Sequence, residues 1–101
     1  MRVLVGVLLI KFRLPENDSL KGKRQVVRSV IARISNNFRV AAAEVDDNDL
    51  WQLATIGVSI IGNDKGQINK VLSMIIEFVD AAGFDAEVLD YKMEIVPVVR
   101  E

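Results

Sequence analysis

Apolar positions along this chain fall into six blocks whose spacing switches between a period of two and a period of 3.6. Val3–Leu14 is rich in Val, Ile and Leu on both parities, the pattern of a central strand covered on both faces. Pro15 ends it, because proline cannot donate to a ladder, and Glu16-Asn17-Asp18 reads as a loop. Ser19 then reads as the N-cap of a helix running to about Asn37. Its apolar positions Leu20, Val27, Val30, Ile31, Ile34 and Phe38 fall within an arc of roughly 100°, one buried face. Gly22 in the first turn is a local conflict, unfavourable by up to ~1 kcal/mol relative to alanine.

Arg39–Asp46 reads as a second strand, with Asp47-Asn48-Asp49 as turn chemistry. Its three successive alanines bury little area, which marks an edge strand or one close to a partner. Leu53–Ile61 alternates, with Ala54, Ile56, Val58 and Ile60 on one face and Thr55, Gly57, Ser59 and Ile61 on the other. Gly62-Asn63-Asp64 breaks that strand and caps a second helix over about Lys65–Ala82. Its apolar face is Ile68, Val71, Leu72, Ile75, Phe78, Val79 and Ala82, and Gly83 follows as its C′ residue. The last strand spans about Ala86–Val96, with Leu89, Tyr91, Met93 and Ile95 opposing Asp90, Lys92 and Glu94.

The order β-α-β-β-α-β predicts a single α+β domain over residues 1–101: a ferredoxin-like sandwich, with two helices on one face of a four-stranded antiparallel sheet. Right-handed crossovers put the first and third strands in the centre. The face without helices then carries Val5, Val7 and Leu9 beside Thr55, Gly57 and Ser59, and Asp90, Lys92 and Glu94. An exposed aliphatic patch of this kind marks an association surface. Val5, Val7, Leu9 and, after the turn, Trp51 are therefore the candidate contacts of a homodimer or partner. Neither parity of Leu53–Ile61 offers an aromatic side chain, which argues against base stacking on the central strands.

Composition removes several chemistries. There is no cysteine, hence no disulfide, iron–sulfur cluster or thiolate metal site, and no histidine, the commonest general base and metal ligand. We expect no cofactor and no metal. Met1-Arg2 and the apolar run from Val3 to Ile10 resemble a short signal peptide, but Lys11 and Arg13 end the run and a buried strand is the better reading. No run reaches the ~20 apolar residues of a membrane helix. The expectation is a cytoplasmic protein without membrane contact.

Charge is split along the chain. Residues 1–39 carry nine bases and two acids, and residues 40–101 four bases and twelve acids. The densest local signal is Ser19-Leu20-Lys21-Gly22-Lys23-Arg24, with Arg28 a turn later. Lys21, Arg24 and Arg28 line one flank of the helix near its N-terminus, where unpaired N–H groups already favour anions. Lys21, Lys23, Arg24 and Arg28 are the candidate anion- or nucleic-acid-binding set; the competing reading is a solvated face salt-bridged to the acidic half. Glu44, Asp46, Asp47 and Asp49 read as a soluble hairpin turn rather than a cation site. No phosphate loop, dinucleotide fingerprint or nucleophile elbow is present. The segment after the first strand carries two acids where a phosphate cradle would need glycines. No catalytic set emerges, and the chain reads as noncatalytic.

The segments Ser19-Leu20-Lys21-Gly22-Lys23-Arg24, Val26-Val27-Arg28-Ser29, Ala43-Glu44-Val45 and Asp49-Leu50-Trp51-Gln52 together resemble the YlxP-like family, bacterial domains of unknown function, over essentially the whole chain. Gly22 departs from the more usual acidic or polar residue there. The resemblance implies a ferredoxin-like fold and a gene neighbourhood with translation and ribosome-maturation factors, notably ribosome-binding factor A. It implies no site residue. The leading expectation is a small protein that binds structured RNA or the ribosome through the basic helix flank. The alternative is an assembly module acting as a dimer through its sheet face or edge strand. An enzyme or small-ligand binder ranks last.

Overall fold

The computed structural model describes residues 1–99; Arg100 and Glu101 lie outside it. The elements are β1 (Val3–Arg13), α1 (Leu20–Phe38), β2 (Ala41–Asp46), β3 (Leu53–Gly62), α2 (Lys65–Ala81) and β4 (Glu87–Val99). They form one antiparallel sheet in the order β2-β3-β1-β4, with β1 and β3 central. This is the ferredoxin-like β-α-β-β-α-β sandwich expected from the alternation of periods.

The even-numbered side chains of β1, from Leu4 to Phe12, and Ala54, Ile56 and Val58 of β3 point into one core. Val27, Val30 and Ile34 of α1 and Ile68, Leu72, Ile75 and Val79 of α2 close it from above. β1 is buried on that side only. Its apolar second face, which suggested cover on both sides, is open within the single chain.

Several boundaries differ from expectation by a residue or more, and the shifts at α1, β2 and the end of β4 have a visible cause. α1 continues to Phe38 and ends on Arg39, whose left-handed backbone (φ 51°) caps it, so β2 starts at Ala41 instead of Arg39. The Phe38 ring sets edge-on against Phe78 of α2 with centroids 5.3 Å apart, and that contact holds the last helical turn in place. β4 runs to Val99, because Leu4 and Val3 pair with Pro97 and Val99; proline is tolerated there on an edge strand. Ser19 and Asp64 cap the two helices through their side chains, as their positions suggested.

Candidate functional site

The basic segment at the start of α1 divides into two parts with different fates. Lys23 is fully buried. Its ammonium donates to the backbone carbonyls of Asp47 and of Leu50 (2.7 Å) in the loop between β2 and β3, and lies 2.9 Å from Glu44 Oε2 on β2. Glu44 Oε2 is itself enclosed and makes no other hydrogen bond, so the ammonium is its compensation. Lys23 therefore belongs to the interior, and its place in the expected anion-binding set is withdrawn. It is the staple that fastens α1 to the β2–β3 loop. A signal for this was available: at 100° per residue Lys23 falls between Val30 and Ile34, within the apolar arc.

Lys21, Arg24 and Arg28 are exposed, and among the described residues none has an ion-pair partner. No acidic residue occupies the first turn of α1. The acids of the β2–β3 loop serve that loop instead. Asp46 Oδ1 accepts from the Asp47 N–H; Asp47 Oδ2 accepts from Thr55 Oγ1 at 2.7 Å and lies 3.7 Å from Lys11 Nζ. This is the hairpin-turn role expected of Asp46 and Asp47, with Asp47 at φ 62° making the turn; Glu44, read with them as part of a soluble turn, is instead turned inward on β2 to Lys23.

Asn17 joins the same end of the molecule. Its amide donates at 2.6 Å both to Ser19 O and to Trp51 O, while Gln52 Nε2 donates to Asn17 O and Leu14 N to Gln52 O. Gly22 is explained by this contact: a Cβ there would sit 2.3 Å from Asn17 Oδ1. Gly22→Ala, which helix propensity alone would make stabilising by ~1 kcal/mol, is therefore expected to lower stability by about 1–2 kcal/mol. Urea denaturation checks it, and in a chain that already carries Asn17→Ala the Gly22→Ala change should cost little or nothing more. Neither Asn17 nor this role for Gly22 is visible in the apolar pattern, because a loop amide that bridges two distant backbone carbonyls has no period.

Trp51 is half exposed in the loop, beside Leu50, Arg13 and Leu53. It lies beyond one end of the sheet, so the structure does not bring it together with Val5, which pairs with Ile61 near the other end. The open cleft of about 640 Å³ around Trp51 is lined by Arg13, Asn17, Asp18, Leu50, Gln52 and Leu53. Its amides are spent on the loop hydrogen bonds, which leaves few donors converging on a ligand.

The open sheet face is larger than the three aliphatics singled out in the sequence. Val5, Val7 and Leu9 are joined by Val45, Ile61 and Val96, all on the side away from the helices. Ala41, Ala43, Gly57 and Ser59 make the floor of a shallow concavity beside Val7 and Leu9. Lys92 and Glu94, on the edge strand β4, are charged positions opposite Leu9 and Val7. Ile61 was legible in the alternation of β3; Val45 was hidden by the register shift that follows Glu44.

Comparisons with known proteins give a family from the sequence and a likeness in fold from one solved structure. The profile of a family described as "Protein of unknown function (DUF503)" matches residues 5–93. Over 63 residues the chain is 32% identical to "Uncharacterized protein YlxP" of Bacillus subtilis (strain 168), covering 62% of this chain and 68% of that protein. A de novo designed protein with ferredoxin fold superposes with a TM-score of 0.50 at 9% identity, over 96% of this chain and 86% of the design. Another design, Foldit4, reaches a TM-score of 0.47 at 15% identity over the whole of both chains. Among the described residues, no helix is long and apolar enough to cross a membrane.

Proposed function

Since the chain belongs to the DUF503 family, whose function is unknown, its surfaces are the guide to its role, and we propose a noncatalytic assembly module that pairs with a second copy through the open sheet face. The observation that carries this is the aliphatic stripe of Val5, Val7, Leu9, Val45, Ile61 and Val96 across all four strands. A sheet with one solvated face ordinarily alternates apolar and polar positions, and β1 does not. Four strands at ~4.8 Å spacing and about ten residues long present a face of roughly 19 by 33 Å. That is of the same order as the ~800 Å² each partner gives to a standard interface.

A two-fold pairing suits the charges as well. Lys92 and Glu94 sit two residues apart on the edge strand β4, so a two-fold that sets β4 against β4 lets each meet its opposite in the other copy. The stripe lies away from the helices, so an assembly through it leaves the flank of α1 exposed. The RNA reading now rests on three cations, since Lys23 is internal.

Sedimentation velocity tests the proposal. The wild type is expected to sediment as a dimer at tens of micromolar, and Val7→Asp and Ile61→Glu as folded monomers. Ile61 is 71% exposed, so its replacement leaves the core intact. A monomeric wild type, or a dimer that survives both changes, overturns the reading.

A further inference from the structure

The two edges of the sheet are built differently. β4 carries Pro97, an outward Lys92 and two register shifts against β1, devices that keep another chain from adding to an edge. β2 carries none of these over Ala41–Glu44. It has three alanines, and Glu44 is turned inward to Lys23; the single register shift comes after Glu44. Half of the backbone groups on such an edge point away from its neighbour. Among the described residues no loop or cap backbone bond engages those of Ala41–Glu44.

The cation flank of α1 overhangs this edge. Lys23, Val27, Val30 and Ile34 face the sheet. Val26 lines a cleft with Phe84 and Ala86, and the Arg33 guanidinium lies 4.9 Å from the Phe84 ring centroid, so that flank faces α2. Arg24, Arg28 and Lys21 lie roughly 90°, 130° and 150° round the helix from that face in the other direction, away from α2 and on the β2 side. The Lys23–Glu44 contact sets the level: Arg24, the next residue of α1, lies only ~1.5 Å further along the helix axis. Arg28 is one helical step of ~6 Å further on, towards Ala42, because α1 and β2 run antiparallel. That step is close to the ~6.6 Å between same-face side chains of a strand.

We propose that the β2 edge and the Arg24–Arg28 flank form a docking groove for an extended segment of another protein, added as a fifth strand, with acidic side chains at alternate positions facing the helix. The strand's backbone takes up the free edge, and carboxylates two residues apart meet the two guanidiniums. A second copy does not fit this edge. Two-fold pairing of β2 with β2 places both α1 flanks on one side of the joined sheet, cation against cation. An RNA strand answers the cations but leaves the edge donors and acceptors unused.

The test is fluorescence anisotropy on the full chain, with a labelled octapeptide of alternating glutamate and valine as probe. Wild type is expected to bind it saturably below a millimolar, with slower amide exchange over Ala41–Glu44. Arg24→Glu/Arg28→Glu, both changes at exposed positions, should weaken binding tenfold or more. N-methylation of alternate probe residues, which removes strand donors without touching the protein, should do the same. The Ile61→Glu chain should bind as the wild type does, which separates this groove from the sheet-face assembly. Equal binding of the N-methylated probe, indifference to the charge reversal, or binding of oligouridine in place of the peptide overturns the proposal.

Discussion

Lys23→Met is expected to cost about 3 kcal/mol or more of folding stability, the largest effect of any single charge removal in this chain. The methionine keeps most of the apolar stem but removes the ammonium. Glu44 Oε2 is then left enclosed without compensation, and the carbonyls of Asp47 and Leu50 lose their donor. Removing one partner of a buried pair typically costs ~3–5 kcal/mol, mostly through the charge left behind. In a domain of this size such a loss lowers the melting temperature by roughly 15 °C. The double change Lys23→Met/Glu44→Leu should recover a large part of it, since apolar replacement of both members of a buried pair is often near neutral. A double-mutant cycle by urea denaturation measures the coupling. Lys21→Met, two residues away on the exposed flank, should lie within ~0.5 kcal/mol of wild type. If Lys23→Met behaves like Lys21→Met, the staple is without energetic weight.

Gly6→Val is expected to be comparably damaging for the opposite reason. Gly6 lies in central β1, paired with Ile60 on one side and Ile95 on the other, and is itself buried. A Cβ there would stand 2.4 Å from Ile68 Cγ2, 3.0 Å from Leu72 Cδ1 and 3.1 Å from Ile60 Cγ2. The missing side chain lets α2 approach the sheet. Valine must displace α2 or force its side chains off their rotamers, a cost of roughly 3 kcal/mol. Ile68→Ala should be destabilising alone yet partly restore Gly6→Val, because it vacates the volume the valine needs. Additive losses in the double variant would show that the clash is relieved elsewhere. Thermal unfolding with calorimetric enthalpies distinguishes the two outcomes.

These two residues also mark where sequence reading reached its limit. The apolar spacing was sufficient for the six elements, their order and the choice of β1 and β3 as central strands. Period and turn chemistry are local, and every block here is long enough to show its period. The open-face parity of β1, β3 and β4 was legible for the same reason. The resemblance built on the segments around Ser19 and Trp51 led to the right family. Those segments meet in the fold: Lys23 donates to Leu50 O, and Asn17, just before Ser19, donates to Trp51 O.

Charge was where the sequence misled. A row of basic letters looks the same whether a side chain turns outward or inward. Only the wheel position of Lys23 hinted at its burial, and a lysine is ordinarily excluded from a core unless a partner waits there. That partner, Glu44, lies twenty-one residues further along and reaches Lys23 through the crossing of α1 over β2. The close approach of α2 to Gly6 and the loop bridge of Asn17 are likewise products of packing. The sequence by itself determined which segments become helices and strands and which of their faces are apolar, because those follow from nearest-neighbour periodicity. The tertiary structure alone decided which charges are spent internally and which remain on the surface, because that depends on contacts between residues that no local pattern brings together.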